Sequence, residues 1–303
     1  MKYICAQPAT TYFAWQIDVL LGSLIKNNVK SEDIHVLCAI TDNNDQYFSV
    51  LKKKHPGVRF FYYTDSRDYK AYIPSIKQHL LYKHYTKNKY MENESIMLVD
   101  SDICLTRPLN LDHLLKDNIW YGSDTVSYIG YEYILSKGRD ILEKMLEIAE
   151  ISEDIVRSNQ NAAVGAQYLY KNVDAGFWNE VVEMSHKLYI EISEMSKKKK
   201  ELDPEYHEIQ IWTAEMWAML WVAWKRGIMT CVSKSLDFTW GTYPISDWDK
   251  HAIYHNAGVT SDENKMFYKG KYVNKFPPND LDINKEMSCY NYYNLIKQAI
   301  WSQ

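Results

Sequence analysis

Residues 95–105, SIMLVDSDICL, place two carboxylates, Asp100 and Asp102, two positions apart at the end of an apolar run. In an extended chain, residues i and i+2 point to the same side, so both carboxylates can aim at one point. Converging carboxylates repel each other unless something positive sits between them. A divalent cation is the economical answer, and hard oxygen donors suit Mg2+ or Mn2+. Asp100 and Asp102 are thus candidate ligands, and Mn2+ or Mg2+ the expected cofactor. A solvated turn or a helix cap produces the same three-residue pattern.

The elements that must position this pair alternate along the chain. Residues 2–7 read as a strand, 13–28 as an amphipathic helix, and 34–41 as a buried strand. Residues 45–54 look helical, 58–64 form a third strand, 75–85 a third helix, and the run into Asp100 a fourth strand. This order predicts an open, largely parallel α/β sheet with its ligand at the carboxyl ends of the strands. The Asp pair and the turn after the first strand (Gln7, Pro8, Ala9, Thr10, Thr11) would both lie there. No glycine occurs between residues 1 and 21, so neither a dinucleotide fingerprint nor a Walker A loop is available. A nucleotide must then rely on backbone groups, on Thr10, Tyr12 and Gln16, and on the metal as counter-charge for its phosphates.

The chain has 303 residues and a net charge of −4, so no global basic field advertises a polyanionic partner. No window approaches the 18 or so apolar residues of a membrane span, and the N-terminus lacks the apolar core of a signal peptide. These features, with five scattered cysteines mostly in or beside apolar runs, predict a cytoplasmic protein with reduced thiols. The 25 Tyr and 10 Trp either build stacking surfaces for sugars or bases, or reflect an AT-rich genome such as that of many viruses and low-GC bacteria.

The Asp-Ser-Asp at the end of a strand, followed by ICLTRPL, resembles the DxD motif of nucleotide-sugar glycosyltransferases of the GT-A fold. Three further stretches are similar to that group. NAAVGAQYLYKN (161–172) resembles the small-residue loop near the donor sugar of retaining members. WTAEMWAMLWVAWKRG (212–227) looks like a helix of the hydroxyproline O-arabinosyltransferases and serine galactosyltransferases. HAIYHNAGV (251–259) is similar to the late histidine motif that completes the metal site. The resemblance covers residues 1–275 and implies a GT-A type, Rossmann-like sheet flanked by helices. The expected organisation is one glycosyltransferase domain with an added helical portion, mainly 139–226. Within it, 1–130 would form the nucleotide-sugar half, 131–275 the donor-sugar and acceptor half, and 276–303 a C-terminal helical clasp. The resemblance also implies a UDP-linked donor and retention of anomeric configuration. The acceptor would be a hydroxyl of a glycan, a protein or a modified base of viral DNA.

Site residues follow from both lines of reading. His255 is the candidate third metal ligand, since Gly258 permits close backbone approach; a core histidine is the alternative. Lys269 and Lys271 could reach the diphosphate as point charges, or be ordinary surface lysines. Donor contacts are expected from Gln7, Thr10, Thr11, Tyr12, Gln16, Ser101, Asp124, Gly165, Ala166, Gly258 and Lys269. Glu215 is the one acid in the apolar run 211–224, where it either faces a cleft or costs stability. By helical spacing it shares a face with Ile211, Trp212, Ala218 and Met219. Glu215 and Gln167 are the candidate catalytic groups. Asp237, Trp240 and Tyr243 would form an acceptor wall or simply core. The charge run 194–205 reads as a solvated helix end, or as a basic loop on phosphates. A nucleotidyl- or phosphotransferase would also use paired Asp and a metal, whereas a non-catalytic sugar-binding module would not need them.

Overall fold

The computed structural model describes residues 1–40 and 46–301, with Trp301 described by its backbone alone. In chain order the first strands and helices are β1 (Lys2–Pro8), α1 (Thr11–Lys26), β2 (Ile34–Ile40), α2 (Tyr47–Lys54), β3 (Arg59–Thr64) and α3 (Ile76–Lys87). Next come β4 (Ile96–Leu98), β5 (Ile103–Leu105), β6 (Trp120–Asp124), α4 (Val126–Ile129), α5 (Tyr131–Ser136), α6 (Arg139–Ala149) and α7 (Glu153–Ser158). The chain closes with β7 (Val164–Tyr170), α8 (Ala175–Leu202), α9 (Ala214–Lys225), β8 (Thr230–Val232), β9 (Phe238–Trp240), β10 (Ile253–His255) and α10 (Ser288–Trp301). The expected class, an open and mostly parallel α/β fold flanked by helices, is the one observed. Thr41 and Asp45, assigned from sequence to a strand and a helix, lie outside the described residues.

Two compact units form. The first comprises Met1–Thr64, Met97–His113 and Ser235–Gln303, the second Asp65–Ile96 and Leu114–Lys234. In the first, the strand order is β3-β2-β1-β4. β1 pairs with β2, and β2 with β3, both in parallel. Parallel strands covered on both faces need near-continuous apolar runs, and IHVLCAI of β2 is buried from Ile34 to Ala39. A second, small sheet has the order β5-β10-β9. Beside it, Trp15 and Val19 of α1 and Cys289, Tyr292, Tyr293 and Ile296 of α10 share a core with Tyr254, Phe267 and Tyr272. The C-terminal helix is therefore a structural part of this unit.

In the second unit the order is β7-β6-β8, with β6 antiparallel to β7 and parallel to β8. The helices α3, α8 and α9 pack together over Trp178, Trp217 and Trp221, all fully buried. The charge run 194–205 is the last turns of α8 and the loop beyond it, with Lys198 paired to Glu194 and Lys199 to Asp140. Much of the aromatic content is core: Tyr72, Tyr85, Tyr168 and Tyr170 are buried here and Tyr254, Tyr292 and Tyr293 in the first unit. Among the described residues, no helix is long and apolar enough to cross a membrane. The five cysteines are outside any disulfide: Cys5, Cys38, Cys104 and Cys289 are buried, and Cys231 is exposed.

Three local expectations need correction. β4 ends at Leu98, so Asp100 and Asp102 sit in the turn joining β4 to β5 rather than on an extended strand. Gly165, Ala166 and Gln167 belong to β7 itself, at an irregularity where the β6 partner register jumps between Gly122 and Ser123. Trp212 precedes α9 in a 3-10 turn and is 58% exposed, so it does not share a buried face with Glu215.

Candidate functional site

The triad is assembled by strand register. β10 runs antiparallel to β5, pairing His255 with Ile103, and the ladder continues one residue further as Asn256 N–H donates to the Asp102 carbonyl at 2.9 Å. His255 is thereby set beside the turn that carries both aspartates. One donor atom each from Asp100, Asp102 and His255 lies within 4.8 Å of the others. His255 Nε2 stands 3.2 Å from Asp102 Oδ1 and 4.0 Å from Asp100 Oδ2. The imidazole packs against Phe238 of the neighbouring β9 at 5.0 Å between ring centres. Two carboxylates and an imidazole are hard to borderline donors, a set that fits Mn2+ or Mg2+ better than a soft-metal site. Gly258, just beyond β10, has φ of 81°, a left-handed conformation that side chains strain to adopt.

A lysine completes the cluster. The Lys269 ammonium contacts Asp102 Oδ2, so each oxygen of this buried carboxylate has a nitrogen beside it, Lys269 Nζ on one and His255 Nε2 on the other. Burial pushes the Asp102 carboxyl up, but Lys269 and His255 outweigh it and hold the group well below the usual carboxylate range. Burial also works against the Lys269 ammonium, yet Asp102, and after it Tyr12, raise it above the ordinary lysine value. Tyr12 itself is raised, first by burial. Lys271 does not join: its ammonium pairs with the exposed Asp262.

The residues around the first turn of α1 partly interlock. Ser101 Oγ donates to Gln16 Oε1 at 3.0 Å, and Gln16 Nε2 donates to the Tyr12 carbonyl at 2.7 Å. Gln7 lies within β1, while Thr10 stands before α1 with its carbonyl accepting from Phe13 and Ala14. Thr10, Thr11 and Tyr12 are half-buried. Trp240 is half-buried beside Gly258, and Tyr243 is exposed.

In the second unit, Glu215 opens α9, where a carboxylate suits the positive end of the helix. It is buried at 7% exposure and held on three sides. Lys77 Nζ of α3 is 3.4 Å from Oε1, Gln78 Nε2 donates to Oε2 at 2.5 Å, and the Glu215 N–H donates to the Tyr72 hydroxyl at 2.9 Å. The same hydroxyl donates to the Trp212 carbonyl at 2.7 Å. Thus the acid neither faces bulk solvent nor lies unpaired among apolar groups. Gln167 is fully buried and accepts from Ser123 Oγ at 2.6 Å. Ala166 beside it has φ of 58°, an uncommon value for a residue with a Cβ, at the strand irregularity. Gly165 is required here, since a Cβ would run into Met216 and Thr125. Asp124, exposed at the end of β6, accepts from Val126 N–H at 3.0 Å.

Lys77, Gln78 and Asn256 were not singled out from the sequence. A signal for Lys77 existed: Leu80, Leu81 and His84 follow it at helical spacing, which places it on the buried face of α3. Asn256 gave none, because its role rests on the β5–β10 register.

No protein-family model matches the chain, and no curated protein sequence matches it. Solved structures do. The apo structure of the bifunctional glycosyltransferase WbbM aligns with TM-score 0.50 and 13% identity, over 89% of this chain and 48% of that one. The chain thus spans about half the length of WbbM. The galactosyltransferase LgtC, in complex with donor and acceptor sugar analogues, aligns at TM-score 0.45 and 12% identity over 98% and 96% of the two chains. Mouse xyloside xylosyltransferase 1 aligns at TM-score 0.44 and 10% identity over 86% and 98%. The α/β fold of this protein is that of GT-A type glycosyltransferases.

Proposed function

We propose that this protein is a divalent-metal-dependent glycosyltransferase that moves a sugar from a nucleoside diphosphate sugar, UDP-linked, to a hydroxyl acceptor with retention. The observation that carries this reading is the convergence of Asp100, Asp102 and His255 on one point, in a fold shared with a glycosyltransferase. Asp100, Asp102 and His255 would hold the cation. When bound, Mn2+ or Mg2+ would supply Lewis-acid stabilisation of the charge that develops on the leaving diphosphate. Thr10, Thr11, Tyr12 and Gln16 are the candidate nucleoside contacts, and Lys269 a mobile positive charge for the phosphates. Gln16 and Ser101 brace each other, so they also fix the turn that carries the aspartates.

Glu215 is the candidate for the group that stabilises positive charge on the transferred sugar. Lys77 and Gln78 hold its carboxylate in one orientation. Gln167 and Asp124 are candidate partners of sugar hydroxyls. Retention makes the departing phosphate the acceptor of the hydroxyl proton, so no separate carboxylate base is assigned.

The test is release of nucleoside diphosphate from a panel of UDP- and GDP-sugars with Mn2+, using wild type and Asp102→Asn. Release by wild type that is lost in the variant supports the reading. Absence of release with every donor, or equal release by both proteins, overturns it. NMR of the product's anomeric configuration tests retention separately.

A further inference from the structure

Lys269, beside the triad, competes with the cation for Asp102. Asp102 offers two oxygens; His255 Nε2 stands at 3.2 Å from one and the Lys269 ammonium contacts the other. The Asp102 side chain is 7% exposed, so its charge cannot be left to water and needs a partner. A divalent cation on Asp102 and the Lys269 ammonium therefore compete for the same carboxylate. Both are positive, and bringing them together is itself unfavourable.

Lys269 can give way only by its side chain. The backbone on either side is pinned: Phe267 and Tyr272 are buried in the core of the first unit, their rings stacked at 5.7 Å and 5°. Gly270 passes so close to the Tyr268 ring that a Cβ there would collide with it. The lysine itself is a compact charge on a flexible four-carbon stem, a quarter exposed, and able to swing without the loop moving. Once off Asp102, the ammonium needs another anion, and a nucleoside diphosphate is the anion that the proposed reaction brings.

We propose that Lys269 is an electrostatic latch: it neutralises Asp102 in the protein by itself, suppresses binding of a divalent cation alone, and transfers to the diphosphate when the nucleotide arrives. Cation and nucleotide then bind as a coupled pair, each raising the affinity for the other by the same factor. This inference rests on the proposed metal-dependent reading of the triad. It differs from a simple phosphate contact in one sign: removing the lysine should help the metal while it harms the nucleotide.

The experiment is titration of Mn2+ by calorimetry and by the EPR signal of free Mn2+, with and without saturating UDP or GDP. Wild type, Lys269→Met, Lys269→Gln and Lys271→Met are compared, with Asp102→Asn to locate the binding. Lys269→Gln keeps a hydrogen bond to Asp102 and serves if Lys269→Met does not fold. The latch predicts Mn2+ affinity without nucleotide at least tenfold tighter in both Lys269 variants than in wild type, and nucleotide affinity at least tenfold weaker. Lys271→Met, whose lysine pairs with Asp262, should match wild type. Lys269 variants that bind Mn2+ no more tightly than wild type, while wild type binds it with nucleotide present, overturn the latch alone. Absence of Mn2+ binding in every protein, with or without nucleotide, overturns the metal-dependent reading and the latch with it.

Discussion

Lys77 and Glu215 allow the catalytic and structural roles of one buried acid to be separated. Their charged atoms are 3.4 Å apart, with side chains 10% and 9% exposed. At that distance, and an effective dielectric constant near 20, the Coulomb attraction is about 5 kcal/mol, most of it offset by the cost of burying both charges. Removing one partner leaves the other buried and unpaired, which costs roughly 3–5 kcal/mol. Lys77→Met and Glu215→Gln should each lower stability by about that amount. The double variant, with both charges gone and the Gln78 hydrogen bond still available to an amide oxygen, should recover at least ~2 kcal/mol of the summed loss. Activity should behave differently. If the carboxylate stabilises charge on the sugar, Glu215→Gln lowers turnover by on the order of 10²–10³, and restoring stability does not restore it. Urea unfolding gives the stability cycle, and turnover per folded molecule gives the other. A double variant that regains turnover together with stability makes Glu215 a purely structural acid. A fully active Glu215→Gln removes it from the mechanism.

Asp102→Asn keeps the shape of the turn and should abolish Mn2+-dependent nucleotide binding, seen as loss of the calorimetric signal with UDP and Mn2+; wild-type turnover in this variant would sink the metal assignment. His255→Ala should weaken Mn2+-dependent nucleotide binding more than it lowers the unliganded Tm, whereas a histidine that only fills core would show large destabilisation and unchanged affinity per folded molecule. His84 supplies a pH dependence away from the site. Burial holds its folded pKa at about 4, below the ordinary 6.5, so the unfolded chain binds the extra proton first as pH falls. Stability is then complete above pH 6.5 and is lost on acidification towards pH 4, by roughly 3 kcal/mol in all. His84→Gln should flatten that part of the stability-versus-pH curve, and an unchanged slope would refute the assignment.

The sequence by itself determined the alternation of strands and helices, because burial on both faces writes apolar runs such as IHVLCAI while one-sided burial writes a helical period. It also marked Asp100, Asp102 and His255, since a carboxylate or an imidazole beside an apolar run is conspicuous wherever it folds. It could not give the manner of their convergence. The aspartates converge from a turn rather than from an extended strand, and His255 reaches them through β5–β10 pairing across about 150 residues of chain. Strand pairing is a long-range choice that local pattern does not encode. Glu215 was conspicuous for the same reason as the triad, but its partners were not: helical spacing puts Lys77 on the buried face of α3, yet nothing local says that this face meets the start of α9. Lys269 shows the limit most plainly. Lys269 and Lys271 flank one glycine and could both reach a diphosphate; only the tertiary fold sends the Lys269 ammonium to a buried carboxylate and the Lys271 ammonium to an exposed one, because Asp102 lies 167 residues from Lys269 in the chain and is brought to it by packing that no local pattern encodes.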